Sequence, residues 1–518
     1  MKRKVSETYV KLVFGKNGQG LELKDSDIAF LSILNKFTYL FSFHINRIYR
    51  FCDDNLKDSS IRRRINKFCD FKILKKNKTF FKMTKGVKVN YYTLDINGKR
   101  LLNAIGVNVN NIKTNMYKNK RLEYDVGIID INLTYYELAS KRTGIIVEDR
   151  GENYFLFNRS ILRKEFPNLN FDNELCKIYL DEEIDINMQS KYNFISKEIL
   201  YQMARKKHLF FALTDEFKRS HSNYNILQNK LKIESDCSFI YKNSKIEIVI
   251  DNFSTTLIKD TAVNGIKSTI QKFIQLATQN STLINIIIAV ITDEDFTLTD
   301  IGRRKSRIAH IKNVITEEFA NIKLSNLNFF VVPVNRFSGV INHIINNNND
   351  SIQNTTQKSN NLLNTICKTI STNSNEKLIA RTIFEKEKIK SLGLIHPNLL
   401  NHLNVLLEFE SNINTAYFIP LEVTEGDVIS YQKINLLNKL LAEYNTKLSK
   451  QFLEINLALI YKEYTKGKHF HYDVFNRNLD WKKILIFKIS EKDQRNVLTT
   501  HVGKDRKKID IKNLLTYF

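Results

Sequence analysis

The chain has 518 residues, 42% of them apolar, and a formal charge of +25 from 80 Lys and Arg against 55 Asp and Glu. That length exceeds one hydrophobic core and calls for about three domains, while the charge favours a polyanionic partner, of which nucleic acid is the commonest. The five scattered cysteines form no C-x-x-C pair and no apolar run is long enough for a bilayer span, which excludes a disulfide framework, a zinc ribbon and membrane insertion.

The opening MKRKVSETYVKLVFG is basic and has no continuous apolar core of a signal peptide, so a cytoplasmic location is expected. LKDSDIAFLSILNKF fits a helix capped by Asp25 or Ser26, with Ile28, Leu31, Leu34 and Phe37 on one face. SFHINRIYRF is a second short helix, capped by Ser42. In DSSIRRRINKFCDFKIL, Ser59 or Ser60 caps a third helix whose Ile61, Ile65 and Phe68 point inward. Its other face presents Arg62, Arg63, Arg64, Asn66 and Lys67. ILKKNKTFFKM and KVNYYTL then alternate as two strands.

Three helices and a hairpin give a winged helix-turn-helix over residues 1–110. Its third helix lies in the major groove, with the arginines placed for guanine edges or phosphates. Lys75, Lys76 and Lys78 at the wing set register on the backbone. A charge run is most often a solvated helix face, but this run sits on the helix that the architecture sends to the DNA. Double-stranded DNA is the expected partner.

Residues 111–199 form a connecting region of unclear fold, apart from RTGIIVEDRGENYFLF (Arg142–Phe157), which reads as a hairpin with a glycine in its turn. Over 200–337, helix and strand patterns alternate. A helix is expected over Ile195–Ser220, strands at Cys237–Tyr241 and Ile246–Asp251, and a helix from Leu257 to Leu276. The buried strand LINIIIAVIT, the helix RRKSRIAHIKNVITEEFANI and the strand LNFFVVPV follow.

That succession is the order of a restriction-endonuclease-like α/β core. Such a core uses an acid at the hairpin and more on the next strand to hold Mg²⁺ or Mn²⁺, which activates the nucleophile and stabilises the leaving oxygen. A period of two puts Glu247, Val249 and Asp251 on one face, so Glu247 and Asp251 are expected to converge with Asp236. Asp236 and Asp251 are the expected metal ligands; turn capping is the other account of both. The amine usual two residues after the strand acid is Phe253 here, leaving Lys267 or Lys272 to supply the charge.

With these motifs the chain resembles the replication-relaxation proteins, akin to MobC-type plasmid mobilisation relaxases, over residues 25–100 and 200–335. His208-Leu-Phe-Phe-Ala-Leu-Thr corresponds to that family's His-led apolar segment. Ser235-Asp236-Cys-Ser-Phe corresponds to its Pro-Asp-Ala-type strand start, with Ser for Pro. Val249-Ile-Asp251-Asn-Phe-Ser254-Thr255 corresponds to its Glu-x-Asp-x-x-Thr strand, with Val249 where the family carries Glu, and Lys267 to its helical Lys. The resemblance implies a winged helix joined to a degenerate endonuclease-like core.

HIINNNNDSIQNTTQKSNNLLNTICKTISTNSNEK (His343–Lys377) is polar and aperiodic, as expected of a linker or long surface loop, which sets a linker over 338–377. Residues 378–518 then form a mixed α/β domain. In LLEFESNINTAYFIPLEVTEGDVISYQKINLLNKLL a hairpin ends in Leu-Glu422-Val-Thr424, and a helix carrying Gln432 and Lys433 follows. Glu422 and Lys433 make a weaker second candidate site, with Thr424 where a nuclease strand has Lys; either the core is duplicated or simple α/β patterning produces the likeness. FLEINLALIYKEY and KKILIFKIS read as further strands. His469-Phe-His471 has the His-hydrophobic-His pattern of another class of nicking enzymes, but no matching tyrosine helix accompanies it.

No Walker loop, G-x-G-x-x-G or serine-hydrolase elbow is present, so ATPase and dinucleotide readings lose support. The leading expectation is a DNA-binding protein of a plasmid or other mobile element. It recognises an origin or transfer site, nicks one strand as a metal-dependent relaxase, and works with other mobilisation or replication proteins. The alternative is a non-catalytic replication initiator or regulator whose nuclease-like domain is a scaffold, as Val249 and Phe253 favour.

Overall fold

The structure, a computed structural model, describes residues 8–14, 19–52, 56–79, 89–104, 107, 109, 122–143, 145–146, 155–156, 176–179, 209–211, 222–233, 235–251, 266–291, 301–319, 324–347, 352–373, 378–384, 386–391, 403–411, 414–447, 455–462, 484–492, 495–502 and 507–509. The fold is mixed α and β. Two compact units divide the chain: Met1–Thr255 with Lys272–Ile287 and Thr292–Ile301, and Thr256–Gln271 with Ile288–Ile291 and Gly302–Phe518.

In the first unit, β1 (Thr8–Phe14) and β2 (Gln19–Lys24) pair as an antiparallel hairpin. Helix α1 (Asp25–Phe37) follows at once. Its N-cap position is Lys24, one residue before the expected Asp25 or Ser26, and Asp27 reaches back, its Oδ2 accepting the Lys24 N–H at 2.7 Å. Then come β3 (Leu40–Phe41), α2 (Ser42–Cys52), α3 (Asp58–Asp70), β4 (Leu74–Thr79) and β5 (Val89–Leu94). The three strands form an antiparallel sheet in the order β3-β5-β4.

Ser42 begins α2 with its hydroxyl donating to the Asn90 carbonyl at 3.4 Å, while the Phe41 N–H donates to His44 Nδ1. Lys57 precedes α3, so neither Ser59 nor Ser60 is its cap. The apolar spacing predicts the packing correctly: Ile61, Ile65 and Phe68 are buried, and Phe68 stacks on Phe30 of α1 at 6.4 Å between centroids.

After α4 (Ile96–Ala104), the region of unclear fold contains a long helix, α5 (Leu122–Thr143). Val126, Ile129, Ile131, Leu133, Tyr135, Tyr136 and Leu138 are all buried. A helix covered on most sides shows no single apolar stripe, which is why the pattern hides it. The expected hairpin is present as β6 (Ile145–Ile146) against β7 (Phe155–Leu156), and β8 (Cys176–Tyr179) runs parallel to β1.

β9 (Leu209–Phe211) is a strand where the pattern over Ile195–Ser220 predicts helix; the flanking residues lie outside those described. Its Leu-Phe-Phe run pairs antiparallel with Phe239–Tyr241, and an available strand edge outweighs the local helical pattern. α6 (Ser222–Lys230) leads to the hairpin of β10 (Cys237–Tyr241) and β11 (Ser244–Asp251). α7 (Ile266–Gln279), with Ile270, Phe273 and Ile274 buried, and the apolar β12 (Ile284–Ile291) each contribute to both units.

The second unit contains α8 (Ile301–Phe319), β13 (Leu327–Pro333), α9 (Val334–Asn347) and α10 (Ile352–Asn373). α10 occupies the stretch expected to be a linker. Its Leu363, Ile366, Cys367 and Ile370 recur at helical spacing and are buried; the Asn, Ser and Thr between them mask the period. β14 (Leu378–Ile383), α11 (Lys386–Ser391), β15 (Leu406–Ser411), β16 (Thr415–Val423), α12 (Val428–Lys447), β17 (Ile455–Lys462), β18 (Ile484–Lys492), β19 (Arg495–Val502) and β20 (Lys507–Ile509) complete it.

These strands form one seven-stranded sheet in sequence order. β16, β17 and β18 are parallel and the other neighbours antiparallel. α12 packs Tyr431, Ile434 and Leu437 with Ile455, Leu457 and Leu459. The intervening Ala458 and Ile460 pack with α10 on the opposite face. Burial on both faces explains the continuous apolar run of β17.

One glycine is held by its surroundings. Gly426, between β16 and α12, has φ +80, and a Cβ there would lie 2.2 Å from Val332 Cγ1. Its carbonyl accepts the Val331 N–H at 2.9 Å. Gly426→Ala is expected to destabilise the second unit by more than about 1 kcal/mol, seen as faster amide exchange in β13 and α12.

Candidate nucleic-acid interface and the acidic hairpin

Burying Ile61, Ile65 and Phe68 leaves Arg62, Arg63, Asn66 and Lys67 exposed along α3. Lys75, Lys76 and Lys78 are exposed on β4. Lys76 stands opposite Tyr92 in the sheet register. Burial raises the Tyr92 hydroxyl above the ordinary tyrosine value, while the Arg62 charge acts in the opposite sense. Burial likewise raises the Cys69 thiol, against the Lys76 charge.

Arg64, which the run Arg62–Arg64 places with the outer set, turns inward instead. Its Nη2 donates to Asp27 Oδ2 at 2.5 Å and its Nε to Asp27 Oδ1 at 3.2 Å. Asp27 is 1% exposed, and the pair holds the guanidinium above its ordinary pKa even though burial alone would lower it.

The acidic hairpin gives its carboxylates separate partners. Asp236 accepts the Ile250 N–H on Oδ2 at 2.6 Å and the Tyr124 hydroxyl on Oδ1. Glu247 is fully buried, ion-paired with the equally buried Lys245. It also accepts from Ser235 Oγ at 2.6 Å and from Gln228 Nε2 at 3.3 Å. Lys245 Nζ donates to Gln228 Oε1 at 2.7 Å and sits 4.6 Å above the Tyr224 ring. Burial pushes the Lys245 ammonium below the ordinary lysine value, with Glu247 opposing it.

The remaining candidates lie elsewhere or outside view. Asp251 closes β11, but its side chain is outside the described residues, as are His208, Phe253, His469 and His471. Lys267 is exposed and pairs with Glu318 of α8 at 2.8 Å, lowering that carboxyl. Lys272 Nζ approaches the Lys232 carbonyl at 3.4 Å. Glu422 and Lys433 are both exposed, and Thr424 Oγ1 lies 3.2 Å from His343 Nε2. Among the described residues no group of three His, Cys, Asp or Glu side chains is arranged to hold a metal ion.

Four participants escape the sequence patterns: Asp27, Lys245, Tyr124 and the helix α5 that carries Tyr124. Only Lys245 left a signal, sharing a strand face with Glu247 at a spacing of two. α5 joins the helical set to the hairpin within the first unit. Toward α2, Arg47 donates to the Asp130 carbonyl at 3.2 Å and to Thr134 Oγ1 at 2.6 Å. Toward β10, Tyr135 meets the Phe239 ring at 5.9 Å and Asn132 Nδ2 lies 3.5 Å from Cys237 Sγ.

No family model, curated protein or solved structure matches the chain. Among the described residues no helix is long and apolar enough to cross a membrane.

Proposed function

We propose that the protein binds double-stranded DNA through α3 and β4, and that its acidic hairpin is a scaffold rather than a metal centre. The observation that carries this reading is the basic surface shared by α3 and β4, whose exposed Arg62, Arg63, Lys67, Lys75, Lys76 and Lys78 stand on a small three-helix, three-stranded framework. On this reading residues 25–94 are a winged helix-turn-helix. Arg62, Arg63 and Asn66 then face base edges or phosphates, and the β4 lysines hold the backbone.

The scaffold half of the proposal rests on charge. Lys245 already neutralises Glu247, and both Asp236 oxygens accept hydrogen bonds from protein groups. The order α6, β10–β11, α7, β12, α8, β13 supports a nuclease-like succession used for support alone. A replication initiator or regulator of a plasmid or other mobile element fits this combination.

The test is binding to duplexes selected from a random pool, measured across KCl concentrations. Arg62→Ala, Arg63→Ala and Lys67→Ala should each weaken binding about tenfold, and each lost phosphate contact should flatten the log K against log [salt] slope by about 0.9. A wild-type chain with no duplex affinity, or a slope near zero, would overturn the proposal. Supercoiled plasmid carrying the selected site should stay supercoiled in Mg²⁺ or Mn²⁺. Open circles made by the wild type and not by Asp251→Ala would return the metal-dependent nickase in its place.

A further inference from the structure

Asp27 collects bonds from three directions. Its Oδ2 accepts the Lys24 N–H at 2.7 Å and Arg64 Nη2 at 2.5 Å. Its Oδ1 accepts the Tyr49 hydroxyl of α2 at 2.7 Å and Arg64 Nε at 3.2 Å. Arg64 Nη2 also donates to the Glu22 carbonyl of β2, and the guanidinium lies 4.9 Å from the centre of the Phe68 ring. One buried carboxylate of α1 thereby grips α2, α3 and the entry from β2.

The apolar contacts of α3 through Ile61, Ile65 and Phe68 are non-directional and tolerate small rotations about its axis. The fork from Arg64 to Asp27 is directional and fixes that rotation. We infer that Asp27 and Arg64 lock the pitch of α3, so that Arg64 is a positioning residue for the DNA surface and not itself a contact to DNA. The inference rests on the DNA-binding reading above. It also assigns different work to neighbours in one run: Arg62 and Arg63 face outward, and Arg64 aims them.

A lysine cannot replace this arginine. Its single ammonium keeps the charge but lacks the planar fork that spans both Asp27 oxygens. Arg64→Lys therefore separates geometry from charge. Binding of the selected duplex is measured across KCl concentrations, at a temperature where circular dichroism shows each variant folded.

Arg64→Lys should bind about tenfold more weakly, the loss of roughly one charged hydrogen bond's worth of alignment, at the wild-type salt slope. Arg62→Ala should instead flatten the slope by about 0.9 if it meets a phosphate. Wild-type affinity for Arg64→Lys would overturn the lock. Arg64→Ala removes the charge as well, and a slope flattened by about 0.9 in that variant would place Arg64 on a phosphate and overturn the lock too. Should Arg64→Lys not fold, Tyr49→Phe removes one Asp27 partner and no charge. About two- to fivefold weaker binding at the wild-type slope then supports the lock, and unchanged affinity overturns it. Absence of wild-type binding to any duplex is a separate failure, of the DNA reading itself, seen before any variant is made.

Discussion

Glu247→Leu alone is expected to destabilise the first unit by about 3–5 kcal/mol, whereas Lys245→Met combined with Glu247→Leu is expected to fall near neutral or to stabilise. Both partners are fully buried. Removing only the carboxylate leaves an ammonium in an apolar setting with Gln228 Oε1 and the Tyr224 ring as its remaining polar company. Removing both charges eliminates the desolvation penalty along with the attraction that offsets it. Amide exchange of β10 and β11 against urea measures this locally, without assuming that the two units unfold together. A double variant as unstable as the single one would show that the pair contributes net stability.

The same pair predicts a pH effect of known sign. Burial holds the Lys245 ammonium below the ordinary lysine value. Between the folded value and about 10.4 the unfolded chain binds more protons at this site than the folded chain does, so its contribution to stability rises with pH in that window. Subtracting the profile of the double variant from that of the wild type isolates this slope from the other lysines and tyrosines. A difference that falls with rising pH would mean that Glu247 raises Lys245 by more than burial lowers it.

What the sequence makes legible here follows from how one-sided the burial is. α3 has one apolar face and one wet face, so its spacing names Ile61, Ile65 and Phe68 correctly. The β10–β11 and β15–β16 hairpins are equally plain, because short apolar runs flank polar turns. α5 is buried on most sides and α10 carries its apolar positions among Asn, Ser and Thr, so neither advertises its period. Charge is less legible still. Arg62, Arg63 and Arg64 are chemically identical, and a run of three says nothing of the buried Asp27, 37 residues before Arg64, that pairs with the third and turns it inward. Lys245 and Glu247 share a strand face by period alone, but nothing in that period says that the face is covered.

Asp236→Ala is expected to cost about 3 kcal/mol and to do so equally in Mg²⁺ and in EDTA. The substitution takes the acceptor from the Ile250 N–H and from the Tyr124 hydroxyl together, each loss worth about 1–3 kcal/mol where the group is shielded from water. Because Tyr124 belongs to α5, the loosening should extend along that helix to Asp130 and Thr134, where α2 is held by Arg47. Faster amide exchange in α5 as well as in β11 is therefore the specific signature. Asp236→Asn keeps one carbonyl oxygen as acceptor and should lose less. A carboxylate serving as a metal ligand behaves differently: ion at a hundred times its dissociation constant adds about 2.7 kcal/mol to the wild type and nothing to Asp236→Ala. Equal losses with and without the ion therefore assign Asp236 to holding α5 against the hairpin, and unequal losses assign it to the metal.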